Sequence, residues 1–318
     1  MNLLILEPKA KETKKFLEAR FPEITIHAAA SEAEVGDFIG KTDIILTFDI
    51  SDDLIKRAVN LMWIQCMISG VDSLLNLPSL KKNILITSSR GIHGPQMSEL
   101  AFLFMLALNR DLYGYFRNQV KKKVEKWPAK LLYRKKVGIL GVGVIGKEIA
   151  RKCKAFDMTV YGITRTKREN PYVDHAYGSE DLVEVMGEVD YFINVVPSTP
   201  ETRKMVGLKE LSSMKSTAFF INIGRGDTVD EDGLIQVLKA HKIAGAALDV
   251  YRVEPLPQES PLWGMKNVIL TPRIGGMSDI YHEQVLPIFE ENLRRFLRGE
   301  RKDLINCIFR EFQSDSVS

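Results

Sequence analysis

An α/β fold of two doubly wound parallel-sheet domains is predicted by three features of the sequence. Short apolar runs alternate with stretches of helical period along nearly all of its 318 residues. The alternation comes in two series, separated by one long apolar segment over residues 96–112. A glycine-rich turn opens the second series directly after a strand. Strands that alternate with helices form a parallel sheet covered on both faces.

The first series has strand-like runs at 3–6, 24–27, 44–47, 62–66 and 84–87, with helical stretches such as 13–20 and 52–60 between them. Segment 96–112 is too long for a strand and has few breakers, so it reads as a buried connecting helix. The second series follows, with strands at 137–140, 159–163, 175–177, 191–195, 218–223, 245–249 and 268–271. A last helical stretch, about 278–298, has nothing left to pair with in that series, so the chain is expected to return to the first domain. Pro287 should kink or interrupt this helix. The expected domains are residues 1–97 plus 275–318, and residues 98–274.

Composition sets the class. Hydrophobic residues make up 45% and charged residues 27%, values ordinary for a soluble globular chain. No apolar run reaches the roughly 18 residues that span a bilayer, so no membrane association is expected. The N-terminal apolar stretch is too short, and lacks the charged leader, for a signal peptide. Cys66, Cys153 and Cys307 are few and scattered. They suggest neither a disulfide framework nor a metal motif, and a reducing cytoplasm is the expected compartment. Net charge is +3, yet residues 121–136 hold eight basic residues and one acidic residue. No nucleic-acid module or aromatic stacking set accompanies that run. It reads as a solvated helix end and loop, with no nucleic-acid partner.

Segment 136–150 (KVGILGVGVIGKEIA) contains G-x-G-x-x-G at Gly141, Gly143 and Gly146. It follows an apolar strand and opens a helix, the context a dinucleotide site needs. Gly141 permits the tight turn, Gly143 lets pyrophosphate approach the backbone, and Gly146 lets helix and strand pack closely. The N–H groups at the helix start, around Val144 and Ile145, then face the phosphates. A carboxylate is expected about 20 residues further on, to hold the adenosine ribose of NAD. Thr164 stands there instead, 18 residues past Gly146, followed by Arg165, Lys167 and Arg168. Three cations suit a 2′-phosphate, so NADP is expected in preference to NAD, with NAD still possible.

With this fingerprint, four further segments resemble the D-isomer-specific 2-hydroxyacid dehydrogenase family, glyoxylate/hydroxypyruvate reductases included. They are 69–72 (SGVD), 195–202 (VVPSTPET), 221–230 (INIGRGDTVD) and 248–257 (LDVYRVEPLP), in the family's order. The resemblance covers nearly the whole chain. It implies a flavodoxin-like substrate domain, a Rossmann nucleotide domain inserted into it, and a cleft between them. It also implies hydride transfer between NAD(P) and a small 2-keto or 2-hydroxy acid, D-specific, in a homodimer. Site residues carry over by position. Arg225 would bind the substrate carboxylate and keto oxygen through forked hydrogen bonds. Gly70 and Val71 would offer backbone N–H groups to the carboxylate. Met97, Val196, Pro197, Thr202, Ile223, Asp249 and Gly275 would line the cofactor. Asp249 could equally end a strand and cap a turn, and Met97 could equally be core.

Glu254 matches the glutamate that, in this family, pairs with a histidine. That histidine's position, in segment 267–277 (NVILTPRIGGM), is held by Arg273. An arginine is a poor general acid, because its pKa lies above about 12. It can still stabilise developing negative charge, face the cofactor, or pair with Glu254. Three readings follow from the exchange. The proton comes from water or another group, with His93 and His282 the nearest histidines by sequence. Or the extra charge suits a substrate with a second acidic group. Or the protein binds nucleotide without turnover.

Overall fold

The computed structural model describes residues 1–308. Its chain forms two compact units, residues 1–92 joined by the chain from Asp279 onward, and residues 93–278.

In the first unit, β1 (Asn2–Leu6), α1 (Ala10–Glu18), β2 (Thr25–Ala29), β3 (Ile44–Thr47), α2 (Asp52–Arg57), β4 (Trp63–Cys66), α3 (Asp72–Leu75) and β5 (Leu85–Ser88) follow in order. The sheet order is β2-β1-β3-β4-β5, all parallel, which is the flavodoxin-like winding. β3 and β4 are buried at every position, so they read as mainly apolar runs rather than as alternating ones, with Thr47 and Gln65 as buried polar exceptions. Ser51 starts α2 by accepting the Leu54 N–H at 3.2 Å, satisfying one of the free donors of a helix start.

The second unit opens with α4 (Gly94–Arg110) and α5 (Leu112–Val120). The helix expected over residues 96–112 forms as α4, and a second helix follows it. Two form because Asp111 takes a left-handed backbone, φ 49°, and its carboxylate accepts the Gly114 N–H at 3.0 Å. The same residue thereby ends α4 and caps α5. The basic run follows on an exposed loop. Then come β6 (Lys136–Leu140), α6 (Val144–Ala155), β7 (Thr159–Ile163), β8 (His175–Tyr177), α7 (Leu182–Glu188), β9 (Tyr191–Asn194), α8 (Leu208–Ser213), β10 (Phe219–Asn222), α9 (Glu231–Lys239), β11 (Gly245–Leu248) and β12 (Val268–Leu270). Their order is β12-β11-β10-β9-β6-β7-β8, all parallel. This is the Rossmann winding, with its reversal between β6 and β9, and ligands bind beyond the strand ends at such a reversal.

The last helix, α10 (Tyr281–Leu297), packs on the first unit's sheet. Phe289 and Phe296 stack on Trp63, with ring centroids 5.4 and 5.1 Å away. The interruption expected at Pro287 does not occur, and the helix runs through it. Proline inside a helix costs roughly 3 kcal/mol, whereas each large apolar side chain fully buried returns about 1.5–3 kcal/mol. Val285, Phe289, Leu293 and Phe296 are all buried, so packing outweighs the break. Pro287 also sits on the exposed face, where solvent can satisfy the carbonyl it leaves unbonded.

Candidate active site

The glycine loop lies at the β6 end of the sheet reversal. Gly141 has φ +100°, a conformation that side chains resist. A Cβ on Gly141 would lie 3.0 Å from Val196 Cγ1, so the loop after β9 closes against it. A Cβ on Gly146 would lie 2.1 Å from the Gly141 carbonyl oxygen, which leaves no room for any side chain. Gly143 differs, since a Cβ there would meet nothing within 4 Å. Its backbone is therefore open to a ligand. Val144 and Ile145 begin α6 beside it, where free N–H groups favour an anion. This open, donor-rich cradle fits a dinucleotide pyrophosphate.

At the end of β7, the Thr164 hydroxyl donates to the Thr166 carbonyl at 2.7 Å, and Arg165, Lys167 and Arg168 are exposed. Across from them the loop after β9 is ordered by its own bonds. Thr202 Oγ1 donates to the Pro197 carbonyl at 2.7 Å and accepts the Thr199 N–H at 2.8 Å. Glu201 in this loop is held below the usual carboxylate range by its bond to Thr199 and a backbone N–H, with Arg165 adding its charge. Arg165 thus stands near this loop.

β10 delivers Ile223, which is buried, and then Arg225. The Arg225 carbonyl accepts Asn222 Nδ2 at 3.2 Å and Thr228 Oγ1 at 2.7 Å, and its guanidinium donates to the Gly224 carbonyl at 2.9 Å. A Cβ on Gly226 would lie 1.8 Å from the Tyr251 carbonyl oxygen, so the Arg225 loop lies directly on the loop that follows β11. That second loop carries Glu254, whose Oε1 accepts the Tyr251 N–H at 3.3 Å.

Glu254 Oε2 accepts from Arg273 Nη1, so these two sequence candidates form an ion pair. Arg273 has φ +55°, unusual for a residue with a side chain. Asp249 holds the turn in place. One of its carboxylate oxygens accepts Thr271 Oγ1 at 2.6 Å and the Ile274 N–H at 3.0 Å. The other accepts the Gly275 N–H at 3.0 Å. Met97 is buried in α4, and a Cβ on Gly275 would lie 3.1 Å from its sulfur.

The two histidines occupy different settings. In the first unit, His282 Nε2 lies 3.1 Å from Glu7 Oε2, and its ring meets Phe48 edge-on. In the second unit, His93 stands at the start of α4 beside Gly276. Burial first, and then the charge of Arg225, hold its pKa below the usual histidine value. The association of His93 with Arg225 and Gly276 has no local sequence signal, because the three are distant along the chain. Gly70 and Val71 lie between β4 and α3 in the first unit. They border a small pocket shared with Thr47, Phe48, Asp49 and Cys66. Among the described residues, no helix is long and apolar enough to cross a membrane.

Residues 102–275 match the family model described as D-isomer specific 2-hydroxyacid dehydrogenase, NAD binding domain. The chain is 31% identical over 313 residues to a glyoxylate reductase of Pyrococcus horikoshii, covering 90% of this chain and 93% of that one. It is 28% identical over 315 residues to a D-3-phosphoglycerate dehydrogenase of Methanocaldococcus jannaschii, covering 94% of this chain but spanning only 58% of that longer protein. Among solved structures, an NADPH-dependent glyoxylate/hydroxypyruvate reductase from Sinorhizobium meliloti, in complex with NADP and sulfate, superposes with a TM-score of 0.82. The two are 27% identical, and the match covers 97% of this chain and 98% of that one.

Proposed function

The chain belongs to the D-isomer-specific 2-hydroxyacid dehydrogenase family, and from that premise we propose that it interconverts a small 2-keto acid and its D-2-hydroxy acid with NAD(P). The observation that carries this reading is the open Gly143 cradle in the same unit as Arg225 and the Glu254–Arg273 pair.

NAD(P)H, when bound, supplies a hydride to the carbonyl carbon. The chain supplies the rest. Gly141, Gly143 and Gly146, with the α6 start at Val144 and Ile145, hold the pyrophosphate. Val196, Pro197 and Thr202 flank the adenosine, while Met97, Ile223, Asp249 and Gly275 border the nicotinamide. Arg225 anchors the substrate carboxylate with a planar fork that matches it; in the first unit, the Gly70 and Val71 amides are assigned as carboxylate donors by the family resemblance. Cofactor binding is assigned to the unit containing β6–β12, which also carries Arg225, Glu254 and Arg273. Arg273 stabilises negative charge growing on the substrate oxygen, and Glu254 aims it. Because Glu254 already balances the charge of Arg273, the pair offers no net cation to a second acidic group, and monoacids are the favoured substrates.

NADP is the favoured cofactor. Thr164 carries no charge to repel a 2′-phosphate, and Arg165, Lys167 and Arg168 are exposed beside it. The NADP-bound Sinorhizobium meliloti relative supports the choice. A homodimer is proposed through α4 and α5, which leave Leu103, Leu106, Tyr113 and Phe116 exposed. Large exposed apolar groups on neighbouring turns are characteristic of an interaction face. The reducing cytoplasm is proposed as the compartment, supported by three unpaired cysteines.

The test is a panel of 2-keto acids, from glyoxylate and hydroxypyruvate to bulkier members, with NADPH and NADH read at the nicotinamide absorbance. Substrate-dependent oxidation of NADPH is expected. None with any 2-keto acid would rule the reading out.

A further inference from the structure

Reduction of a keto group leaves an oxygen that must gain a proton. Arg273 is unsuited to give one, since a guanidinium stays protonated up to at least about pH 12 and this one is bound to Glu254. The structure places another group at the same turn. The His93 carbonyl accepts the Met97 N–H at 3.2 Å, which sets its backbone at the start of α4. Its ring lies against Gly276, where a Cβ would come within 3.3 Å of His93 Cδ2 and 3.7 Å of Nε2. Gln96, three residues further on, donates from Nε2 to the Gly276 carbonyl at 3.3 Å. The turn that carries Arg273 is therefore fastened by Asp249 at residues 271–275 and by the α4 start at Gly276.

We propose that His93 is the proton donor to the substrate oxygen in reduction, and the proton acceptor in the reverse direction. The proposal rests on the dehydrogenase reading above and on Arg225 as the carboxylate anchor. As the carbonyl carbon gains its hydride, the C=O π pair moves to oxygen. The imidazolium N–H bond breaks as the O–H bond forms, and the neutral ring recovers a proton from water.

The charges around His93 set the sign of the pH dependence. Arg225 faces it from the loop after β10 and disfavours the imidazolium. Arg273 lies on the same turn as Gly276, with its charge balanced by Glu254. From α6, Glu148 approaches Gly94 but is paired with Arg151, and Lys152 reaches Pro95 while paired with Glu99 of α4. None of these carboxylates faces the imidazole in a way that raises its pKa. Burial and Arg225 hold that pKa below the ordinary 6.5. Reduction needs the charged ring, so kcat/KM for glyoxylate with NADPH should fall as pH rises through that depressed value. Oxidation of a D-2-hydroxy acid needs the neutral ring and should rise to a plateau over the same interval.

The experiment has a kinetic arm and a cofactor-free arm, both on the full chain. His93→Gln should lower kcat for glyoxylate about 100-fold, in the range expected for loss of a general acid. It should erase the acidic rise in kcat/KM and leave the Kd for NADPH within a factor of two. In the second arm, the imidazole resonances are titrated by NMR without nucleotide. One resonance, absent from His93→Gln, should titrate below the ordinary histidine range and shift upward by at least one pH unit when oxalate, a carboxylate-bearing substrate mimic, is added. Retained kcat and an unchanged pH profile in His93→Gln overturn the proposal. If no 2-keto acid is turned over by the wild type, the dehydrogenase reading fails separately. The NMR arm then decides the placement of His93, which a resonance unmoved by oxalate overturns and a shifted one supports.

Discussion

Arg273 and Glu254 are ion-paired between loops that leave the adjacent parallel strands β12 and β11. The Arg273 side chain is 55% exposed and that of Glu254 26%. An ion pair so open to water contributes no more than about 1 kcal/mol to folding, so its worth lies in the chemistry of the site. Arg273→Met should shift the thermal midpoint by no more than about 4 °C. It should lower kcat/KM for 2-keto acids by roughly 100-fold or more, as loss of a donor to a developing oxyanion does. Scanning calorimetry and steady-state kinetics measure the two effects. Undiminished kcat/KM would dismiss a role for Arg273 in charge stabilisation.

Gly143 and Gly146 separate ligand binding from folding. Gly143→Ala introduces a methyl group into open space, so the thermal midpoint should hold. NADPH affinity should drop at least about 10-fold, because the methyl occupies the approach of the pyrophosphate. Gly146→Ala drives its methyl into the Gly141 carbonyl and should cost about 1–3 kcal/mol of stability. Urea unfolding and nucleotide fluorescence on both variants test the contrast. Equal loss of stability in the two would contradict it.

Arg165 should set the choice between nicotinamide cofactors. A charge-assisted hydrogen bond contributes about 1.5–3 kcal/mol, so Arg165→Ala should weaken NADPH about 10- to 100-fold and NADH little. Fluorescence titration with both nucleotides gives the ratio. An unaltered ratio excludes Arg165 as a 2′-phosphate ligand.

The buried thiols should make the protein sensitive to alkali. Burial pushes Cys66 and Cys153 from 9.0 up to about 12, with Asp49 adding to the first and Lys154 opposing the second. Above about pH 9 the unfolded chain sheds these protons while the folded chain keeps them. Unfolding free energy then falls by roughly 1.4 kcal/mol per pH unit for each thiol until the folded value is passed. Cys153→Ala should flatten the slope between pH 9.5 and 11 by about that amount in denaturant titrations. Rapid reaction of either thiol with an aromatic disulfide reagent in the native protein at pH 8 would contradict this picture.

The strands were readable in the sequence because both faces of the parallel sheets are covered. β3, β4, β9 and β10 are short, mainly apolar runs with no gap in burial, with Gln65, Asn194 and Asn222 as buried polar positions. The glycine loop was readable because its constraint is local, with Gly146 meeting Gly141 five residues away. Less legible were features decided by a single backbone angle or by distant neighbours. Asp111 ends α4 and starts α5 through a positive φ that its residue type only permits. Continuity of α10 through Pro287 is not local information, because the cost of the proline depends on which face it occupies, and that face is set by packing on Trp63. The placement of His93 beside Gly276 joins opposite ends of the second unit, and no spacing rule reaches that far.

Asp249 holds the Thr271 hydroxyl and the Ile274 and Gly275 backbone N–H groups without touching the Arg273 side chain. The turn is thus a mount whose shape does not depend on what it carries. A single base change separates a histidine codon from an arginine codon, and such a change here would alter proton chemistry while leaving the scaffold intact. The same turn would accept either residue opposite Glu254. Proton handling at this site is therefore open to revision by mutation without the loop having to be rebuilt.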